Sequence, residues 1–197
     1  MHPKALLAAS ILALAAAFPA VAVQTTYTAN LSGAAESPPN ASPGTGFATV
    51  TFDDVAKTMF LSVSFADLLG GVTASHIHCC TAVPGTGTAG VATTTPTFPG
   101  FPSGVTSGTY VNTFNMLSSA SFNPAFLTVN SLADASAAFA FLMAGAAAGE
   151  AYLNIHTSVV PGGEIRGFLA PIPEPETYAL MLGGLAALGW TARRRRG

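Results

Sequence analysis

Met59-Phe60-Leu61-Ser62-Val63-Ser64-Phe65 decides the fold class. Met59, Leu61, Val63 and Phe65 share one side of an extended chain and Phe60, Ser62 and Ser64 the other, the period-2 pattern of a half-buried strand. Working outward, Phe47 to Asp53 is β-rich, and Tyr27 to Leu31 reads as a first strand. A turn-rich loop from Gly33 to Gly46, with Pro38, Pro39 and Pro43, separates the two. Gly70-Gly71 breaks the chain before a further strand, Val72 to His78. Thr81 to Ser107, dominated by Pro, Gly and Thr, is long for a loop in a compact domain, a length that goes with function or mobility. Gly108 to Met116 returns to strand. Leu132 to Gly145 carries Leu132, Ala135, Phe139 and Leu142 at helical spacing, with Asp134 suited to the first turn. Ala151 to His156 and Glu164 to Leu169 form a hairpin around Pro161-Gly162-Gly163. Many short strands with turn signals predict a mainly β fold, an antiparallel β-sandwich with one helical insertion.

The two ends carry a different signal. Lys4, the apolar stretch Ala5 to Phe18 and Ala20-Val21-Ala22 follow the order of a secretory signal peptide, predicting a leader over residues 1–22. Pro173-Glu174-Pro175 precedes an uncharged run, Tyr178 to Trp190, and then Arg193, Arg194, Arg195 and Arg196. A full span takes about 20 apolar residues, so the run suits a transient C-terminal transmembrane helix with its arginines in the cytoplasm. Pro-Glu-Pro, apolar segment and arginine cluster together resemble the PEP-CTERM sorting signal. That resemblance implies processing by an exosortase after signal peptidase, in a Gram-negative bacterium that makes exopolysaccharide. It further implies anchoring in the inner membrane before processing, then a place on the cell surface or in the biofilm matrix.

Residues 23–171 remain as one domain, ahead of a sorting signal over 172–197. Within the domain Lys57 and Arg166 are the basic residues, against Glu36, Asp53, Asp54, Asp67, Asp134, Glu150 and Glu164. With no basic patch, nucleic acid is excluded as a partner. The periodic apolar blocks exclude disorder. Adjacent Cys79 and Cys80 cannot staple distant segments. They close a vicinal disulfide, stay reduced, or join His78 on a soft metal, and the disulfide is preferred.

Strand parity places His76 and His78 on one face, with Ile77 pointing into the core. In the later hairpin Tyr152, Asn154 and His156 share a face, and Glu164 and Arg166 share a parity. Pairing His156 with Glu164 sets Asn154 against Arg166, among a carboxylate, an amide and an imidazole. Two readings follow. Asn154, His156, Glu164 and Arg166 form a polar packing network, the preferred one, or His76, His78 and His156 form a copper or zinc site.

Three further stretches carry a second resemblance: Leu31-Ser32-Gly33-Ala34-Ala35-Glu36 before Pro38-Pro39; Ala74-Ser75-His76-Ile77-His78; and Tyr152-Leu153-Asn154-Ile155-His156-Thr157 with Pro161-Gly162-Gly163-Glu164-Ile165-Arg166-Gly167. Together they are similar to the CHRD domain from about Tyr27 to Leu169. Cys79-Cys80 departs from that family, which usually has Gly after the His-x-His. The resemblance implies an extracellular sandwich module, immunoglobulin-like or superoxide-dismutase-like in architecture. The His-x-His with a distant third His is also similar to the copper arrangement of copper-zinc superoxide dismutase, whose remaining ligands have no counterpart here. The expectation is a non-enzymatic surface or matrix module with no cofactor, its partners exopolysaccharide or other matrix proteins. A copper- or zinc-binding redox protein is the alternative.

Overall fold

The structure is a computed structural model that describes residues 24–172. The expected leader, Pro173-Glu174-Pro175, the expected transmembrane helix and Arg193 to Arg196 lie outside the described residues. Eight strands run in chain order: β1 (Gln24–Ser32), β2 (Thr45–Asp53), β3 (Thr58–Ala66), β4 (Val72–His78), β5 (Gly108–Asn115), β6 (Tyr152–Thr157), β7 (Ile165–Phe168) and β8 (Ala170–Pro171). Two α-helices, α1 (Pro124–Val129) and α2 (Ala135–Ala147), fall between β5 and β6.

The mainly β expectation holds, but the two-sheet sandwich is corrected. All strands join one antiparallel sheet in the order β4-β6-β7-β1-β2-β3-β5, with β8 also on β1. The sheet curls into a half-barrel because the last strand changes partner. β7 ladders with β6 and meets β1 only at Ser32↔Arg166. One residue on, at Leu169, the chain shifts and β8 pairs with β1.

The alternation in β3 appears as read: Met59, Leu61, Val63 and Phe65 are buried and Phe60 is exposed. Ala48, Val50 and Phe52 of β2 and Tyr27, Ala29 and Leu31 of β1 face the same core. Helix α2 closes this side, with Phe139 edge-on to Phe52 at 5.8 Å. Asp134 is its N-cap, accepting from the Ala137 amide, so the helix begins three residues later than the spacing of Leu132 suggested. Among the described residues no helix is long and apolar enough to cross a membrane.

The β4-β6-β7 end is covered on both faces. Ile77, Leu153, Ile155 and Ile165 fill the core side, while His76, His78, Tyr152, Asn154 and Arg166 are buried on the reverse. The long loop between β4 and β5 also runs along the outer edge of β4. Ala92 donates to the Ile77 carbonyl and Phe98 to that of Ser75, while Thr93 and Thr97 hydroxyls accept from Ile77 and Ser75. An edge that would otherwise expose unpaired amides is thereby satisfied. Phe98 and Phe101 fasten the loop from inside, against Phe114 and Tyr110 at 5.3 and 4.9 Å.

Cys79 and Cys80 are joined as a vicinal disulfide, packed against the backbone of α2 at Gly145. A Cβ at Gly145 would overlap both sulfur atoms. In an open helix Gly→Ala gains up to about 1 kcal/mol. Here overpacking wins, and Gly145→Ala should destabilise the domain by about 1–3 kcal/mol. A urea midpoint that rises in the variant would show that α2 does not rest on the disulfide.

Candidate metal centre

The pairing of β4 with β6 makes the site. Its register sets Ala74 against His156, His76 against Asn154 and His78 against Tyr152. His76 and His78 share a face by the period of two, and His156 lies on the same face of the adjoining strand. Ring centroids lie 5.8 Å apart for His76–His78, 5.3 Å for His76–His156 and 5.8 Å for His78–His156. One nitrogen from each ring lies within 4.8 Å of the other two.

The remaining ring nitrogens fix the tautomers. His76 Nε2 faces the Pro96 carbonyl at 2.5 Å, His78 Nδ1 that of Ala89 at 2.9 Å, and His156 Nδ1 that of Pro161 at 2.9 Å. A carbonyl only accepts, so each of these nitrogens carries the hydrogen. His76 Nδ1, His78 Nε2 and His156 Nε2 are therefore lone pairs, all buried and without a hydrogen-bond partner among the described residues. Burial pushes the His78 imidazolium down to about 4, and it also holds those of His76 and His156 below their ordinary range. The carbonyl contacts oppose that shift in each ring, and the neighbouring imidazoles add to it at His76 and His78. At neutral pH the site is three neutral imidazoles with converging lone pairs. Backbone carbonyls orient them as partners do in metal sites.

The other residues singled out in the sequence separate into two clusters. Arg166 stands opposite Asn154, as the hairpin pairing requires. Its carboxylate neighbour is Glu36 at 3.8 Å, not Glu164. Its Nε donates to the Ala35 carbonyl at 2.5 Å and its Nη1 to that of Gly87 at 2.8 Å. Its guanidinium lies 4.7 Å over the Tyr152 ring, which stacks on His78 at 4.9 Å. Burial raises Glu36 to about 7 despite Arg166 and the Ser37 amide. Glu36 Oε1 and Asn154 Oδ1 are buried without donors among the described residues.

Glu164 belongs elsewhere: it lies just ahead of β7, outside the ladder with β6. It accepts from Ser42 Oγ at 2.6 Å, Thr157 Oγ1 at 2.5 Å, the Leu69 amide at 2.6 Å and the Gly70 amide at 3.4 Å. Burial would raise its carboxyl, but these donors hold it below the ordinary range.

Sequence reasoning missed the three orienting carbonyls, the Glu36–Arg166 contact and the Tyr152 stack. Glu36 was visible as the carboxylate just ahead of Pro38-Pro39, but nothing local tied it to residue 166.

A mainly β module with three histidines converging on one face of its curled sheet is the class that this fold and site define. The CHRD domain matches residues 27–169, and the chain belongs to that family. The PEP-CTERM protein-sorting motif matches residues 171–196, so the protein is an exosortase substrate, exported and anchored in the membrane before processing. Neither the curated proteins nor the solved structures offer a match.

Proposed function

We propose that this exosortase-sorted CHRD protein holds one copper or zinc ion through His76, His78 and His156, as an extracytoplasmic metal-binding module rather than a purely structural one. One observation carries the reading: three buried nitrogen lone pairs converge, and no donor among the described residues meets them. A packing network would leave its members satisfied, since each buried acceptor without a partner costs about 1–3 kcal/mol. Imidazole nitrogen suits copper and zinc, and either ion would use all three lone pairs at once. Metal–nitrogen bonds of about 2.0 Å place three donors about 3.5 Å apart in a trigonal set, so the rings need close only modestly from their present spacing. The ion supplies Lewis acidity or a redox couple, while the chain's residues bind it and keep the imidazoles in the ligating tautomer.

The test is metal binding by the purified protein. Copper or zinc should bind at about one equivalent. At about 100 times Kd the ion should stabilise the fold by about 2.7 kcal/mol, which raises Tm by roughly 5–10 °C in a domain of this size. His78→Ala should abolish both effects and leave the metal-free protein folded. If metal leaves Tm unchanged and His78→Ala unfolds the protein, the histidines serve packing instead.

A further inference from the structure

We infer that the three-histidine centre is built for copper(I), bound by His76, His78 and His156 with no fourth ligand. This rests on the metal reading above and adds the oxidation state and coordination number.

The donor set is uncharged. Among the described residues only these three side chains group as metal ligands, without a carboxylate or thiol. Cys79 and Cys80, which directly follow His78, are tied up in their disulfide. The groups behind the ligands bring no negative charge either, because Ala89, Pro96 and Pro161 offer neutral carbonyls.

What charge lies behind the site is positive. Arg166 sits over Tyr152 at 4.7 Å, and Tyr152 lies parallel to His78, with ring planes 6° apart. The carboxylate nearest that guanidinium is Glu36, at 3.8 Å. A buried dication without an anionic ligand keeps most of its desolvation penalty, which scales steeply with charge. A monocation carries far less.

The donor count sets the coordination number. The three ligating nitrogens are themselves buried, with His76 and His78 only 6% and 8% exposed as residues and His156 half-buried. Among the described residues no fourth protein ligand groups with them, and zinc in proteins is almost always four-coordinate. Copper(I), a closed-shell monocation, is satisfied by three imidazoles in a plane.

The experiment compares three ions on the purified protein without air. Copper(I) is generated with ascorbate rather than a thiol, so that the disulfide is spared. It is titrated against bathocuproine disulfonate, with zinc(II) and copper(II) titrated against chromophoric chelators. Copper(I) should bind at one equivalent, and a tenfold excess of zinc(II) should displace less than a tenth of it. Displacement by zinc(II), or copper(II) held as tightly as copper(I), overturns the inference and leaves the metal reading standing if the binding is lost in His78→Ala. If none of the three ions binds, the metal reading itself falls and this inference with it.

Discussion

Arg166→Ala should lower the unfolding free energy by about 3–5 kcal/mol, the cost of removing one partner from a buried charge pair. Arg166 is 3% exposed and belongs to β7, yet both of its hydrogen bonds leave the sheet. Its two hydrogen bonds reach Ala35, after β1, and Gly87, in the long loop after β4. Truncation leaves both carbonyls without their donor and Glu36 without its cation, and it opens a gap beside Tyr152 and Phe168. Arg166→Lys should recover little, because an ammonium cannot donate in two directions while lying flat on a ring. Gly87 is two residues from Ala89, whose carbonyl orients His78, so the variant should also bind metal more weakly. Urea unfolding measures the first effect. A loss below about 1 kcal/mol would mean that water replaces the guanidinium and that the loops stand without it.

What could be read from the sequence was whatever has a short period. The alternation of Met59 to Phe65, the hairpin register that sets Asn154 against Arg166, and the shared face of His76 and His78 all follow from a repeat of two. Helix α1 escaped notice because the six residues Pro124–Val129 are too few to show a helical period, although Asn123-Pro124 is a cap followed by a first-turn proline. The single curled sheet was not legible, because it depends on the change of partner at Leu169, and no residue there announces it. The site followed the same division. Parity paired two histidines, but His156 joins them only because β4 and β6 are neighbours, a contact between strands far apart in the chain. The assignment of Glu164 to Arg166 relied on extending the strand parity to a residue that lies just ahead of β7, and the carboxylate near Arg166 comes instead from a loop that precedes β2.

Glu36→Gln should make the metal-free protein more sensitive to mild acid, a sign opposite to the usual one for losing a carboxylate. His78 titrates at about 4 in the fold, below its ordinary 6.5. The unfolded chain therefore takes up that proton first, and stability present above pH 6.5 is lost as pH falls toward 4. A gap of that size is worth about 3 kcal/mol, and His76 and His156, shifted the same way, add to it. Glu36 works against them. Its carboxyl is raised from 4.5 to about 7, so the folded state binds the proton first. Stability from that group accordingly grows as pH falls from 7 to 4.5, again by about 3 kcal/mol. The two windows overlap, and in the native protein Glu36 offsets part of the histidine loss. Gln cannot take up a proton, so Glu36→Gln keeps the histidine loss and removes the compensation. Between pH 7.5 and pH 5 the variant should lose about 2–3 kcal/mol more than the native protein. Glu164, held low by its four donors, contributes only below that range and leaves the comparison clean. Urea unfolding of both metal-free proteins at the two pH values decides it. Parallel losses would show that Glu36 is already ionised in the fold and firmly paired with Arg166.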